Sequence, residues 1–147
     1  MFRGRSTHML DAKGRLTIPA KFRDVLRAQY SSEGLIITTM PSCLAAYPFE
    51  EWRKIEERFS KNSFTTPEIR TYQRFFLAGA VECPIDGQGR VLIPASLRKE
   101  AELTKEVVLS GMLTYFEIWS KDKLEKELQK ARENFDQYER MVAGLEQ

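Results

Sequence analysis

Asp11 to Arg23, DAKGRLTIPAKFR, returns 75 residues later as Asp86 to Arg98, DGQGRVLIPASLR. Seven of the thirteen positions are identical: Asp, Gly, Arg, Ile, Pro, Ala and the closing Arg. Two copies at one fixed offset point to an internal duplication rather than a solenoid. Asp at the first position and Gly at the fourth suit a type I turn, with a side-chain acceptor at its start and a glycine where the backbone leaves left-handed. Ser6-Thr7-His8-Met9-Leu10 precedes the first turn and Arg15-Leu16-Thr17-Ile18 follows it. Alternating residues on both sides of a glycine-closed turn predict a β-hairpin. Pro19 ends the second strand because it has no N–H to donate, and its fixed φ suits the entry to a helix. Phe22, Val25 and Leu26 then recur at helical spacing. Leu97, Ala101 and Leu103 repeat this less regularly in the second copy.

The duplication extends beyond the motif. Residues 34–40, GLIITTM, read as a strand whose counterpart is Val107 to Met112. The offset has fallen to 72 there, so the first copy carries three extra residues in the loop between Tyr30 and Gly34. Cys43 to Tyr47 and Tyr115 to Trp119 are the next matched strands, and both run into helices. Pro48 opens one with Trp52, Ile55 and Phe59 on a single face; Ser120 is a good N-cap for the other. Ser60 to Thr66 is polar and reads as a loop. Thr66-Pro67-Glu68 is a helix start, with Ile69, Tyr72, Phe75 and Phe76 as the apolar face that follows. In the C-terminal helix Leu124, Leu128, Ala131, Phe135, Tyr138, Val142 and Leu145 alternate spacings of 4 and 3, which favours packing against another helix, within or between subunits.

D-x-x-G-R followed by an apolar pair, Ile-Pro and a short helix resembles the swapped-hairpin domain of AbrB-like transcription factors. Two such copies in one chain opening Met1-Phe2-Arg3-Gly4 resemble the MraZ family of bacterial cytoplasmic regulators, associated with the division and cell-wall gene cluster. The likeness spans nearly the whole chain. It implies an α+β fold: tandem AbrB-like β-hairpin halves forming a double-split β-barrel-like core with pseudo-two-fold symmetry, plus peripheral helices. It also implies a ring-shaped homo-oligomer. The expected division is residues 2–50 for the first copy, 51–76 for connecting helices, 77–119 for the second copy and 120–147 for a C-terminal helix.

Composition sets the outer bounds. A chain of 147 residues with 42% hydrophobic and 30% charged residues describes a soluble globular protein. No apolar run approaches membrane-spanning length and the first residues lack a signal-peptide core, so a cytoplasmic protein without a membrane partner is expected. Cys43 and Cys83 imply no disulfide framework, and with a single histidine, His8, no zinc site is expected. Gly87-Gln88-Gly89 is not followed by the Gly-Lys-Ser/Thr of a phosphate loop, and nothing assembles a nucleophile, base and orienting group. Neither enzyme activity nor a cofactor is expected.

Charge is distributed unevenly. Residues 1–30 hold Arg3, Arg5, Lys13, Arg15, Lys21, Arg23 and Arg27 against Asp11 and Asp24, a net +5, while the whole chain carries only +2. A basic segment on an acidic body is the pattern of a localised anion-binding face. Across the duplication Lys13 and Thr17 become Gln88 and Leu92, and Lys21 becomes Ser96. The first copy is therefore expected to bind double-stranded DNA and the second to serve as scaffold. Arg presents a planar fork suited to guanine edges and phosphate oxygens. The resemblance carries over the motif positions Asp11, Gly14 and Arg15, with Asp86, Gly89 and Arg90 in the second copy. Asp11 and Arg90 read as structural and Arg15 as DNA-contacting; charge and strand phase add Arg3, Arg5, Lys13 and Lys21. The reading is a nucleoid-associated transcriptional regulator engaging a direct-repeat operator; its rival is a structural or protein-binding cytoplasmic oligomer.

Overall fold

The computed structural model describes residues 1–61 and 66–146. In order, the elements are β1 (Arg5–Met9), β2 (Arg15–Thr17), α1 (Ala20–Gln29), β3 (Gly34–Met40), β4 (Cys43–Pro48), α2 (Phe49–Lys61), α3 (Pro67–Phe76), β5 (Val81–Pro84), β6 (Arg90–Leu92), α4 (Ala95–Glu100), β7 (Glu106–Gly111), β8 (Phe116–Ser120), α5 (Lys121–Glu133) and α6 (Phe135–Gly144). The fold is α+β. Six strands form one antiparallel sheet in the order β1-β7-β8-β4-β3-β5, and β2 pairs β6 in a separate ribbon.

Reading that order from either end exchanges the copies. β1 maps to β5, β7 to β3 and β8 to β4, and the registers agree residue by residue. Thr7 faces Val108, and its equivalent Glu82 faces Ile36. The pseudo-two-fold axis runs through two self-paired positions, Leu16↔Val91 in the ribbon and Ala45↔Glu117 at the centre of the sheet.

The turns close as the motif predicts, but the hairpin pairing goes no further than a single Ile85–Val91 bridge in the second copy, and the flanking strands take other partners. Asp11 N–H donates to Arg15 O at 3.0 Å, and beyond that pair the strands separate. β1 goes to β7 and β2 to β6; in the second copy β5 goes to β3. The local hairpin expectation is corrected by exchange between copies. The physical reason is burial. A hairpin of such short strands cannot cover its own apolar face, whereas exchange places Leu10, Leu16 and Ile18 in one core with Val91, Ile93, Val107 and Leu109. Two hydrogen bonds lock the exchange: Ile18 N–H to Gly89 O at 2.9 Å and Ile93 N–H to Gly14 O at 3.1 Å.

The near-continuous apolar runs of β3 and β7 reflect a sheet covered on both faces. Leu35, Ile37, Val107 and Leu109 face the main core beneath the ribbon, where Phe2, Phe22 and Phe116 meet with ring centroids 5.0–5.4 Å apart. On the opposite face Leu124 and Leu128 pack with Val108, Trp119 and Cys43, and Trp52 and Phe76 pack with Ala45 and Tyr47. Both thiols are buried, which pushes Cys83 up to about 11 and Cys43 higher still.

Three helical expectations are corrected. Ser60 and Lys61 continue α2 rather than beginning a loop, and 62–65 lie outside the described residues. Thr66 caps α3 as read, accepting from Ile69 N–H at 3.3 Å, but only Phe76 of its expected apolar face is buried. The helix is held at its C-terminal end, where the Thr38 and Thr39 hydroxyls donate to Phe76 O and Phe75 O at 2.5 and 2.6 Å. That leaves Tyr72 52% exposed. The C-terminal segment is two helices, interrupted at Asn134, where the backbone turns to φ −120° and ψ 20°; its N–H still donates to Lys130 O at 3.0 Å, and its side-chain amide adds a second bond to that oxygen at 2.9 Å. α5 lies on its own sheet, while Phe135, Tyr138, Val142 and Leu145 of the stripe are exposed.

The N-terminus is tied to the core where β7 ends. Phe2 and Leu113 exchange N–H···O bonds of 2.8 and 3.0 Å, and a Cβ on Gly111 would come within 2.6 Å of the Phe2 and Arg3 backbone. Gly111→Ala is expected to lift Phe2 from its aromatic cluster at a cost of about 1–3 kcal/mol, measurable as a lowered Tm with loss of near-ultraviolet ellipticity.

Candidate nucleic-acid interface

Each turn is built by its aspartate. Asp11 Oδ1 accepts from the N–H groups of Lys13 and Arg15, both at 2.9 Å, and Oδ2 accepts from Arg15 Nε. Asp86 does the same for Gln88 N–H, Arg90 N–H and Arg90 Nε, all at 2.9 Å. Glycine is required at the turn exit, where Gly14 and Gly89 have φ of +84° and +77°. The Arg15 N–H bond is the largest contributor holding the Asp11 carboxyl down at about 2, with the Arg15 side chain and Lys13 N–H adding to it. Asp86 is lowered for the same first reason, the N–H of Arg90.

The ribbon turns these residues into one platform. In the antiparallel register Arg15 faces Leu92, Leu16 faces Val91 and Thr17 faces Arg90. Side chains alternate, so Leu16 and Val91 point into the core, both fully buried, and Arg15, Thr17, Arg90 and Leu92 share the outer face. Each arginine is tethered to its own aspartate through Nε. Leu92 is 54% exposed between them.

Lys13 is exposed in the first turn beside this face. Arg3, Arg5 and Lys21 lie elsewhere, towards the start of β1. Arg5 is on the exposed side of that strand with Thr7 and Met9, and five strand residues span about 13 Å before the turn begins. Lys21 reaches the N-terminal segment: its Nζ is 3.0 Å from the position of a Cβ on Gly4 and 5.7 Å from the Phe22 ring centroid. The residues singled out in the sequence thus form two groups, Lys13 with Arg15 at the turn and Arg3, Arg5 and Lys21 at the N-terminal end. His8 is half-buried, with Nε2 2.6 Å from Ser6 Oγ, and partial burial lowers its pKa.

Strand phase in a single copy did not reveal that Arg90 and Leu92 would stand beside Arg15. That follows only from the β2–β6 register. Arg98 was also missed as a neighbour of the first turn, although its identity with Arg23 inside the repeat was the available signal; its guanidinium packs against Gly14. The pseudo-symmetry exposes a further contrast. Arg3, Arg5 and Arg27 have Ala78, Ala80 and Glu102 as equivalents, so the excess of basic charge lies on the first copy.

The Asp11 turn should survive mild acid. A carboxyl depressed in the folded state contributes fully above its ordinary value near 3.8 and loses that contribution as pH falls towards about 2. Titration of the Asp11 carboxyl carbon by NMR is expected to give a midpoint near 2, with the Lys13 and Arg15 amide shifts moving in the same window.

Among the described residues no helix is long and apolar enough to cross a membrane. The chain matches a family profile described as "MraZ protein, putative antitoxin-like" twice, over residues 1–75 and 76–144. It is 48% identical over 143 residues to the transcriptional regulator MraZ of Syntrophobacter fumaroxidans, covering 97% of this chain and 95% of that one. It is 44% identical over 136 residues to that of Pediococcus pentosaceus, covering 92% of each chain. With that of Moorella thermoacetica it shares 42% identity over 145 residues, 99% of this chain and 96% of the other.

Proposed function

The chain belongs to the MraZ family, and from that premise we propose how it acts. It is a DNA-binding transcriptional regulator rather than an enzyme. Our reading is that the first copy, residues 2–50, contacts DNA through Arg15 and Lys13 at the turn and through Arg3, Arg5 and Lys21 along the phosphate backbone. The second copy, 77–119, holds the platform in place. Recognition is by a two-stranded ribbon and its turn, a geometry that fits the major groove. The observation that carries this is the exposed ribbon face, where Arg15 stands over a fully buried Leu16 and is oriented by Asp11.

Copies of the chain assemble into a ring in the cytoplasm, associated with the nucleoid. The apolar face of α6 supports self-association, with Phe135 60% and Leu145 84% exposed. The division and cell-wall gene cluster is the target implied by the family likeness. Because the pseudo-two-fold lies within one chain and the excess of basic charge lies on its first copy, each subunit offers one reading face. Subunits related by rotation around a ring present that face in the same sense. The operator is therefore a set of short direct repeats about 10 bp apart.

Arg15→Ala is expected to cost about 1–3 kcal/mol per engaged site without unfolding the protein. Arg90→Ala should cost less in specificity. Operator titrations beside thermal melts check both, and wild-type affinity in folded Arg15→Ala refutes the assignment. Neutralising Arg3, Arg5 or Lys21 should flatten the log–log salt dependence by roughly one unit per contact; a wild-type slope near zero supports the protein-scaffold rival. On a multi-repeat operator, inverting one repeat at fixed spacing should remove its share of avidity. Equal affinity for inverted and direct operators contradicts the ring with one reading face per subunit.

A further inference from the structure

We propose that Arg98, contributed by the second copy, is the positioning residue of the DNA-reading turn in the first copy, and that its repeat mate Arg23 does not perform the same task for the other turn. The proposal rests on the reading of the Asp11–Arg15 turn as the DNA contact.

The turn has three attachments, two of them from the opposite copy. Asp11 organises it from within. Ile93 N–H donates to Gly14 O at 3.1 Å. Arg98 fills the space beside the α-carbon of Gly14, so that a Cβ there would lie 2.5 Å from Arg98 Cζ and 2.6 Å from its Nε. Arg98 is itself anchored, because its Nε donates to Ile93 O at 3.0 Å. Ile93 therefore holds the turn with its N–H and the arginine that braces the turn with its carbonyl. The result is a closed clamp of Gly14, Ile93 and Arg98 behind Lys13 and Arg15.

The mate site has the same parts without the closing bond. Ile18 N–H donates to Gly89 O at 2.9 Å, and Arg23 packs over Gly89, its Nη1 2.8 Å from the position of a Cβ. Yet Arg23 Nε is buried with no hydrogen-bond partner among the described residues. A buried donor that forgoes its bond loses stabilisation that its mate retains. The backbone symmetry thus supports two turns, and the clamp is complete only on the turn flanked by Lys13. A base-reading arginine must be held to within about 0.5 Å of its productive position, and a turn fixed from behind loses less freedom on binding.

Lysine separates positioning from charge. Arg98→Lys keeps the cation, which suffices for a phosphate contact, but removes Nε and the planar fork. Full-length Arg98→Lys and Arg23→Lys would be titrated with an operator duplex and a scrambled duplex of equal length at two salt concentrations. Amide hydrogen exchange at Gly14, Arg15 and Ile93 would be followed in parallel. Arg98→Lys is expected to lower the operator-to-scrambled affinity ratio about tenfold, leave the salt slope unchanged and speed exchange at those amides. Arg23→Lys should keep the ratio within about twofold. Should the lysine variant melt early, Arg98→Met, which keeps the stem packing, supplies the same readout. A wild-type ratio in Arg98→Lys, or equal losses in both lysine variants, overturns the proposal. If Arg15→Ala keeps a wild-type ratio while Arg98→Lys still speeds exchange, the DNA reading falls and Arg98 remains the clamp of the turn.

Discussion

Exchange of strands between the two copies is the constraint on which the rest of the structure depends. Neither copy owns a complete hydrophobic face. β1 borrows β7, β5 borrows β3, and the ribbon takes one strand from each copy. Loosening any of these contacts opens the core of both halves, because Leu16 and Val91 meet on the pseudo-axis under the ribbon. The Ile18–Gly89 and Ile93–Gly14 bonds place each turn under the control of the other copy's backbone. A rigid exposed turn is thereby obtained without a long hairpin behind it.

Much of this was legible in the sequence because duplication doubled weak signals. Asp11 and Gly14 are individually ordinary turn residues; repeated as Asp86 and Gly89 with Ile-Pro-Ala behind them, they define the turn, the short strand and the helix entry, all three present. Strand pairing was not legible from local pattern. Alternation identifies which face of a strand is apolar, but the identity of the partner depends on long-range burial. The same limit applies to α3, where Tyr72 and Phe75 have helical spacing yet only Phe76 finds the sheet. In the C-terminal segment an unbroken heptad stripe concealed the interruption at Asn134, because periodicity records side-chain polarity and not a local departure of the backbone from helical φ and ψ.

The candidate interface was partly legible. Charge asymmetry selects the first copy from composition alone, and the structure places Lys13 and Arg15 at one turn. It separates them from Arg3, Arg5 and Lys21, which are close in sequence but lie towards the opposite end of β1. What reading along one strand does not supply is the other strand of the ribbon. Leu92 and Arg90 enter the face only through register, and Arg98 reaches the first turn only through the exchanged fold. A symmetric backbone with asymmetric side chains allows this division, since core positions that differ stay apolar, Leu16 with Val91 and Phe22 with Leu97, while the changes of charge and polarity are exposed: Lys13 with Gln88, Thr17 with Leu92, Lys21 with Ser96.

The Asp–Arg pair illustrates how one interaction serves two purposes. Both side chains are partly exposed, 30% for Arg15 and 36% for Asp11, and a solvent-accessible ion pair contributes only about 0–1 kcal/mol to stability. Its presence in both copies is therefore better explained by geometry than by energy. Asp11 spends one oxygen on two backbone N–H groups and the other on Arg15 Nε. The carboxylate that shapes the turn thus also sets the direction of the guanidinium. An arginine tethered through Nε keeps its two terminal nitrogens as the donors for a bidentate contact, and the entropy of orienting them has been lost before any ligand arrives. The second copy retains the same tether at Asp86 and Arg90 but has Gln88 in place of the neighbouring Lys13. On the reading proposed above, identical turn chemistry is structural in one half and recognitive in the other, the difference lying in the side chains around it.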